Sequence, residues 1–484
     1  MSPARSTTDS PVQAEPLAVE PGPGGDPVLE LLRGWLPGQR WFPAKGTHVA
    51  LSGRALVRLT DPLGEAEVQV HLLRLSTGAV LQVPVTVRPA PAEPGPAQIG
   101  LLPASPGDAG AASAQPLALM DGCLDEAFLR AWLSAAEQAD PDAPALQGEA
   151  LEGALRGMRL ISGEQSNTSV MLPGTPVPSI LKVFRGLSTG PNPDVVVPLA
   201  LSGTGWTGVP RPLAWLTATW DLPASTGGGT DRTLTHLGVL SELVMGARDG
   251  FELACELAGQ GRSFAALAED LGRTTAQMHR ALASALPTSA PDGSPAQPRS
   301  GSGTVVGTLR HRAAEAVAAA PELVERAAGV ERVLAAVEHL GDLPPLQRVH
   351  GDYHLGQVLR SPDRGWVVLD FEGEPQATEA ERNRPDLALR DLAGMLRSMD
   401  YAAEIGGAAD PRWAAEARSA LVDGYRAETG SPAQGSTADG VQQTLLRALE
   451  LDKALYEVVY ESRNRPAWLH VPLAGVDRLL ALPG

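Results

Sequence analysis

The chain has 484 residues, 39 of them basic and 56 acidic, for a formal net charge of −17. That length allows about three domains, and that charge argues against nucleic acid or an anionic membrane as the dominant partner. Two cysteines, Cys123 and Cys255, form no metal-ligand or redox motif and leave no disulfide framework.

Residues 1–28 are rich in Pro, Gly, Ser and acidic side chains, without an apolar h-region. They read as a disordered tail rather than a secretory signal. No apolar run reaches membrane-span length, so a soluble cytoplasmic protein is expected. A short helical pattern follows from Val28 to Leu36, then Gln39-Arg40-Trp41-Phe42-Pro43-Ala44-Lys45. Segments 54–60, 67–76 and 79–88 read as strands, the last two joined as a hairpin at Ser76-Thr77-Gly78. The Pro/Gly/Ala-rich stretch 89–117 reads as a linker or long loop. A helix is expected at 125–136, then strands at 157–162, 168–172 and 179–184, and another from Leu237 to Val244. Beyond residue 250 the pattern is helical, at 264–286, 312–340, 387–404, 412–428 and 441–463, with Ser/Pro/Gly-rich residues 287–306 as a mobile insertion. The organisation is therefore a tail (1–28), a β-rich cap (29–117), a β-rich lobe (118–245) and a helical lobe (246–484).

The densest chemistry lies in His350-Gly351-Asp352-Tyr353-His354-Leu355-Gly356-Gln357, followed by Val367-Val368-Leu369-Asp370-Phe371-Glu372-Gly373. Two carboxylates, Asp352 and Asp370, sit on loops bounded by apolar runs, with Gln357 between them. Phosphoryl transfer needs one carboxylate to take the attacking hydroxyl's proton and another to hold Mg²⁺ against nucleotide phosphates. A side-chain carbonyl completes such a metal shell, because Mg²⁺ takes hard oxygen ligands. Either aspartate alone would read as a solvated turn residue. In the smaller lobe, Ser162-Gly163-Glu164-Gln165-Ser166-Asn167-Thr168-Ser169 lies between strands. Its small polar residues suit backbone contacts to phosphates, with Ser166, Asn167 and Thr168 as candidates, although a plain hairpin turn would look the same. Lys182, inside the apolar strand Ser179–Phe184, is placed to grip phosphates. Ser241-Glu242-Leu243-Val244 is positioned as the hinge between lobes, where Glu242 and Val244 would meet the adenine. Walker A and G-x-G-x-x-G are both absent.

The layout is that of H-R-D-x-x-x-x-N followed by D-F-G, and its departures resemble the aminoglycoside-phosphotransferase-like kinases. With Arg390–Ala403, Glu450–Trp468, Leu181–Arg185 and Gln39–Phe42, the chain resembles the actinobacterial maltokinases from about residue 29 onward. The resemblance implies an α+β, bilobal protein-kinase-like fold with an N-terminal β-rich cap and a mostly helical C-lobe. It implies ATP-dependent phosphorylation of maltose at the anomeric hydroxyl, feeding glycogen-like α-glucan synthesis. Asp352 would be the base, Gln357, Asp370 and Glu372 the Mg²⁺ ligands, and Lys182 the phosphate contact. His354, Asp400, Tyr401, Tyr456, Glu457, Tyr460, Arg463 and Asn464 would line the sugar site. A monomer or a complex with a trehalose-converting enzyme are both compatible with it.

Two features depart from the family. Where Asn-Pro-Asp-Leu-Glu-Val is usual, this chain has Asn192-Pro193-Asp194-Val195-Val196-Val197. The acidic partner expected for Lys182 is thus Val196, which leaves Asp194 as the nearest substitute, and Pro198 falls where the helix should continue. The cap motif carries Pro43-Ala44 where glycine is commoner. Other readings remain open: a kinase for glucosamine, glucose or an aminoglycoside, or, given Val196, a pseudokinase or binding subunit.

Overall fold

A computed structural model describes residues 11–18, 25–43, 50–103, 116–140, 148–161, 166–223, 230–286, 302–340, 343–373, 382, 384–430 and 436–482. The chain divides into two compact units, one of residues 1–196 with 211–243, the other of 197–210 with 244–484. Among the described residues no helix is long and apolar enough to cross a membrane.

The first unit holds two sheets. Its strands are β1 (Val12–Gln13), β2 (Glu15–Leu17), β3 (Leu51–Leu59), β4 (Glu67–Leu75), β5 (Val80–Pro89), β6 (Gln98–Leu102), β7 (Leu117–Asp121), β8 (Glu137–Gln138), β9 (Arg159–Leu160), β10 (Asn167–Leu172), β11 (Ser179–Phe184), β12 (Gly186–Leu187), β13 (Pro212–Pro223) and β14 (Thr230–Glu242). The cap sheet runs β2-β3-β4-β5-β7-β6 with β12 beside β5, and the other runs β1-β13-β14-β11-β10-β9 with β8 beside β13. Helix α1 (Pro27–Trp35) is started by Asp26, whose carboxylate accepts the Leu29 N–H at 3.1 Å. It packs Leu32 and Leu36 against Leu73, Val83 and Leu119 of the cap sheet. Helix α2 (Glu126–Ala135) is capped by Asp125, which accepts from Ala127 N–H at 3.0 Å and from the Thr86 hydroxyl on β5 at 2.6 Å. The cap and the second sheet are joined by β12, which pairs with β5. They are also joined by Gln82 on β5, whose amide donates to the carbonyls of Phe184 (2.6 Å) and Leu237 (2.7 Å).

Several expectations are corrected here. Part of the supposed tail, Val12–Leu17, forms β1 and β2, one in each sheet, with Ala14 between them buried. Strand β6 lies inside the supposed linker 89–117 and pairs with β7. Strand β13 was not expected, although Trp215, Thr217, Thr219 and Trp220 suit a strand. Its long antiparallel pairing with β14 settles the conformation.

The second unit is helical apart from a three-stranded sheet of β15 (Arg248–Asp249), β16 (Val358–Ser361) and β17 (Gly365–Val368). The first unit also holds α3 (Glu149–Ala154) and the start of α4 (Pro193–Gly203), and the second continues with α5 (Gly250–Gly259), α6 (Ala265–Ala285), α7 (Ser302–Ala319) and α8 (Ala327–Glu338). They are followed by α9 (Leu389–Gly406), α10 (Trp413–Thr429), α11 (Thr437–Asn464) and α12 (His470–Ala481). Helix α4 continues through Pro198, which gives up one N–H donor without ending it. Helix α7 starts at Ser302, so residues 302–306 of the expected insertion are helical, and residues 287–301 lie outside the described set. Pro321 opens a 3₁₀ turn that divides the expected 312–340 helix into α7 and α8. Helices α6 and α10 cross closely. A Cβ on Gly272 would lie 2.0 Å from the Leu421 carbonyl oxygen, and one on Gly424 1.9 Å from that of Glu269.

Candidate active site

The β16–β17 hairpin explains why the two acidic motifs meet. Val358 pairs with Val368, so the residues before β16 and those after β17 emerge at the same end of the ribbon. Leu369 N–H donates to the Gln357 carbonyl at 2.9 Å, and the Gln357 amide nitrogen donates to Asp370 Oδ2 at 3.1 Å. Asp370 has φ +58°, a left-handed conformation that a non-glycine residue adopts at a cost, as functional loops often do. Carboxylate oxygens of Asp370 and Glu372 lie within 4.8 Å of each other.

His350 stitches the two loops together. Its Nε2 donates to the Leu369 carbonyl at 2.7 Å and its Nδ1 accepts the Asp352 N–H at 3.4 Å. The backbone is held from below by Asp391 on α9. Its carboxylate accepts the N–H groups of His350 (2.8 Å) and Gly351 (3.0 Å) and the Nε2–H of His279 (3.0 Å). His279 Nδ1 lies 3.0 Å from the Tyr425 hydroxyl, which completes a buried relay from α6 and α10. Burial alone would raise the Asp391 carboxyl, but the His279 hydrogen bond, the nearby imidazoles and the Gly351 N–H outweigh it and hold it below the usual carboxylate range.

Asp352 itself keeps 20% of its side chain exposed. Lys453 Nζ from α11 lies 3.6 Å from its Oδ1, and His354 Nε2 lies 3.8 Å from its Oδ2. His354 Nδ1 accepts the Gly356 N–H at 3.1 Å, so the ring proton sits on the nitrogen facing Asp352. Burial lowers the His354 pKa more than Asp352 raises it, so the ring is neutral near pH 7.

The first unit carries the other candidates. Lys182 on β11 forms an ion pair with Asp194 in the first turn of α4, the substitution for Val196 that the sequence left open. Asp194 is held in turn by Asn192, whose side-chain oxygen accepts its N–H at 2.8 Å. Asn167 and Thr168 turn to Arg185: Asn167 Oδ1 accepts the Arg185 N–H at 3.3 Å, and Thr168 Oγ1 accepts from its guanidinium at 2.8 Å. Ser166 accepts from the Asn167 amide at 3.4 Å. Residues 162–165 of that loop lie outside the described set. Glu242 ends β14, where its side chain accepts the Arg211 N–H at 3.5 Å. The chain passes from the first unit to the second between Leu243 and Val244, where the hinge was expected.

The expected sugar residues separate into two groups. Tyr456 and Tyr460 stack along α11 with ring centroids 6.5 Å apart, and Lys453 Nζ sits 5.0 Å over the Tyr456 ring. Asp400 is different: its carboxylate accepts from Arg397, Arg418 and Arg478, so it ties α9 to α10 and α12. Glu457 accepts from Arg397 at 2.8 Å, and burial raises its carboxyl despite that arginine and Lys453. Tyr401 donates to Glu461 at 3.1 Å. Arg463 is exposed, and Asn464 donates to the Tyr460 carbonyl at 2.9 Å near the end of α11. Asn464 is eleven residues beyond Lys453, roughly 16 Å further along the helix, so the two cannot serve one hydroxyl. Sequence reasoning gave Lys453, Asp391 and His279 no role. Only Lys453 carried a signal, its i, i+3 spacing to Tyr456.

Residues 35–125 match the maltokinase N-terminal cap domain, and residues 258–430 match the phosphotransferase enzyme family. The chain is 32% identical over 342 residues to a glucosamine kinase of Mycolicibacterium smegmatis, covering 67% of this chain and 80% of that one. It is 29% identical over 366 residues to a glucosamine kinase of Streptacidiphilus jiangxiensis, covering 71% and 78% respectively. A solved glucosamine kinase in complex with glucosamine, ADP and inorganic phosphate aligns over 94% of this chain and 99% of its own, with a TM-score of 0.58 and 25% identity. The mixed α+β chain, with its β-rich first part and helical second part, has the kinase-like fold of these relatives, and it belongs to the aminoglycoside-phosphotransferase-like kinases that carry a maltokinase-type N-terminal cap.

Proposed function

We propose that this protein is an ATP-dependent sugar kinase whose acceptor is an amino sugar of the glucosamine type. The observation that carries the kinase reading is the clamp on the 350–352 loop. Asp391 holds the N–H groups of His350 and Gly351, and the His350 ring accepts that of Asp352, whose carboxylate stays accessible to an acceptor. Asp352 takes the proton of the attacking hydroxyl. Gln357, Asp370 and Glu372 offer hard oxygens that fit a divalent cation. When bound, such an ion offsets negative charge on the transferring phosphoryl group. Lys182, positioned by Asp194, grips the nucleotide phosphates.

The relatives support the amino-sugar acceptor, since both curated ones and the solved one are named for glucosamine. The cap does not favour maltose over it. The solved glucosamine kinase aligns over so much of this chain that fewer residues remain unmatched than the cap contains. Maltose is the second reading, favoured by the Arg463-Asn464-Arg465-Pro466 segment beyond the tyrosine face of α11.

The test is ADP release by the purified protein with Mg-ATP and glucosamine, maltose, glucose, trehalose or an aminoglycoside, with NMR of any phosphorylated product. Glucosamine-dependent turnover supports the proposal. Turnover with maltose alone keeps the kinase and replaces the acceptor. No turnover with any sugar overturns the kinase reading in favour of a pseudokinase.

A further inference from the structure

We infer that Lys453 is a further catalytic residue, whose ammonium bridges the base Asp352 and the phosphoryl group in flight. This rests on the reading of Asp352 as the base. Three observations place Lys453 there. Its Nζ lies 3.6 Å from Asp352 Oδ1, beyond a direct hydrogen bond but close enough to share an acceptor oxygen with it. Its position is set along α11 itself, since it sits 5.0 Å over the Tyr456 ring about one turn further on, which in turn stacks on Tyr460. The other flank of Asp352 is held by a neutral imidazole, His354, so Lys453 is the cation on the described approach to that carboxylate.

The step balances without a further reactant. The acceptor hydroxyl oxygen bonds to the γ-phosphorus as the bond from that phosphorus to the β–γ bridging oxygen breaks. The hydroxyl proton passes to Asp352 and ADP departs. Lys453 keeps its proton throughout. A hydroxyl within hydrogen-bond reach of Asp352 Oδ1, about 2.6–3.2 Å, lies beside the Lys453 ammonium. Negative charge on the phosphoryl oxygens then meets a fixed positive charge in a partly water-excluded place, where such charges count most. In kinases of the H-R-D type the catalytic Asp and an Mg²⁺-holding Asn share one loop, while the phosphate-gripping Lys comes from a strand. Here the cation comes from α11, roughly 100 residues further along the chain, so the acceptor-binding helix and the chemistry are joined through one side chain.

The experiment compares the full-length protein with Lys453→Met, Lys453→Arg and Asp352→Ala, using glucosamine, or maltose if that is the sugar turned over. Two readouts are taken: kcat and KM for ATP and sugar, and the affinity for ADP with aluminium fluoride in the presence of sugar, set against ADP alone. Lys453→Met is expected to lower kcat by roughly 100-fold and weaken the aluminium fluoride complex by a similar factor. ADP affinity, ATP KM and melting temperature should stay near those of the parent. Lys453→Arg, which keeps the charge, should recover much of both losses. Parent-like kcat in Lys453→Met, or a loss confined to sugar KM or melting temperature, overturns the inference. Inactive Asp352→Ala beside fully active Lys453→Met sinks the inference alone. Fully active Asp352→Ala removes the base assignment on which it stands.

Discussion

Asp391 holds the 350–352 loop through backbone N–H groups, so its role is one of shape, and it is the most exacting single residue of the site. Replacing it with Asn keeps the size but turns an amide N–H₂ toward groups that are themselves donors. Losing charge-assisted hydrogen bonds of this kind costs on the order of 3 kcal/mol, and Asp391→Asn should show it as a lower urea midpoint at neutral pH. The pH dependence has a definite sign. The folded carboxyl lies below its unfolded value, so its contribution is complete above about pH 4 and is lost as pH falls through the folded value. The parent's midpoint should therefore fall more steeply than the variant's as the pH drops below about 4, and parallel curves would refute the assignment. Asp352, Gln357 and Asp370 were legible in the sequence because one hairpin carries them all and a contiguous motif records it. The Asp194 substitution for Val196 was legible for the same local reason. Asp391, His279 and Tyr425 were not, because three helices from distant parts of the chain meet there, and each residue alone looks like an ordinary helical position.

Among the elements, the crossing of α6 and α10 sets the floor beneath that relay, since His279 lies on one helix and Tyr425 on the other. The crossing is close because glycine faces backbone in both directions, Gly272 against α10 and Gly424 against α6. Neither side can yield by a rotamer change, as the obstructing atoms are carbonyl oxygens. Gly424→Ala should cost about 1–3 kcal/mol by overpacking, measured by chemical denaturation, and lower kcat through a displaced Tyr425. A stable, fully active Gly424→Ala protein would show that the helices can part without disturbing the loop. The helices themselves were readable from apolar spacing, and β3, β4, β5 and β11 from β-branched runs. Strand β13 and the α7–α8 division were not, because pairing with β14 and the kink at Pro321 are decided by partners and by backbone rather than by pattern.

For the whole molecule, the segment from Val12 to Leu17 is a clasp: β1 joins the sheet of β13 and β14, while β2 joins the cap sheet. Removing residues 1–18 would open both sheet edges and expose the space around Ala14. The melting temperature should fall by about 2–4 °C for each kcal/mol lost, and an unchanged melting curve would show that the clasp contributes nothing. The same feature orders events during synthesis. Val12 leaves the ribosome roughly 200 residues before its partner Ala218, about 10–40 s ahead of it at typical elongation rates. Over that interval β1 waits with an open strand edge, exposed to chance pairing with neighbouring nascent chains. A slowed ribosome anywhere between β3 and β13 would lengthen the wait, so the yield of native kinase should respond to translation speed there more than to speed in the helical region that follows.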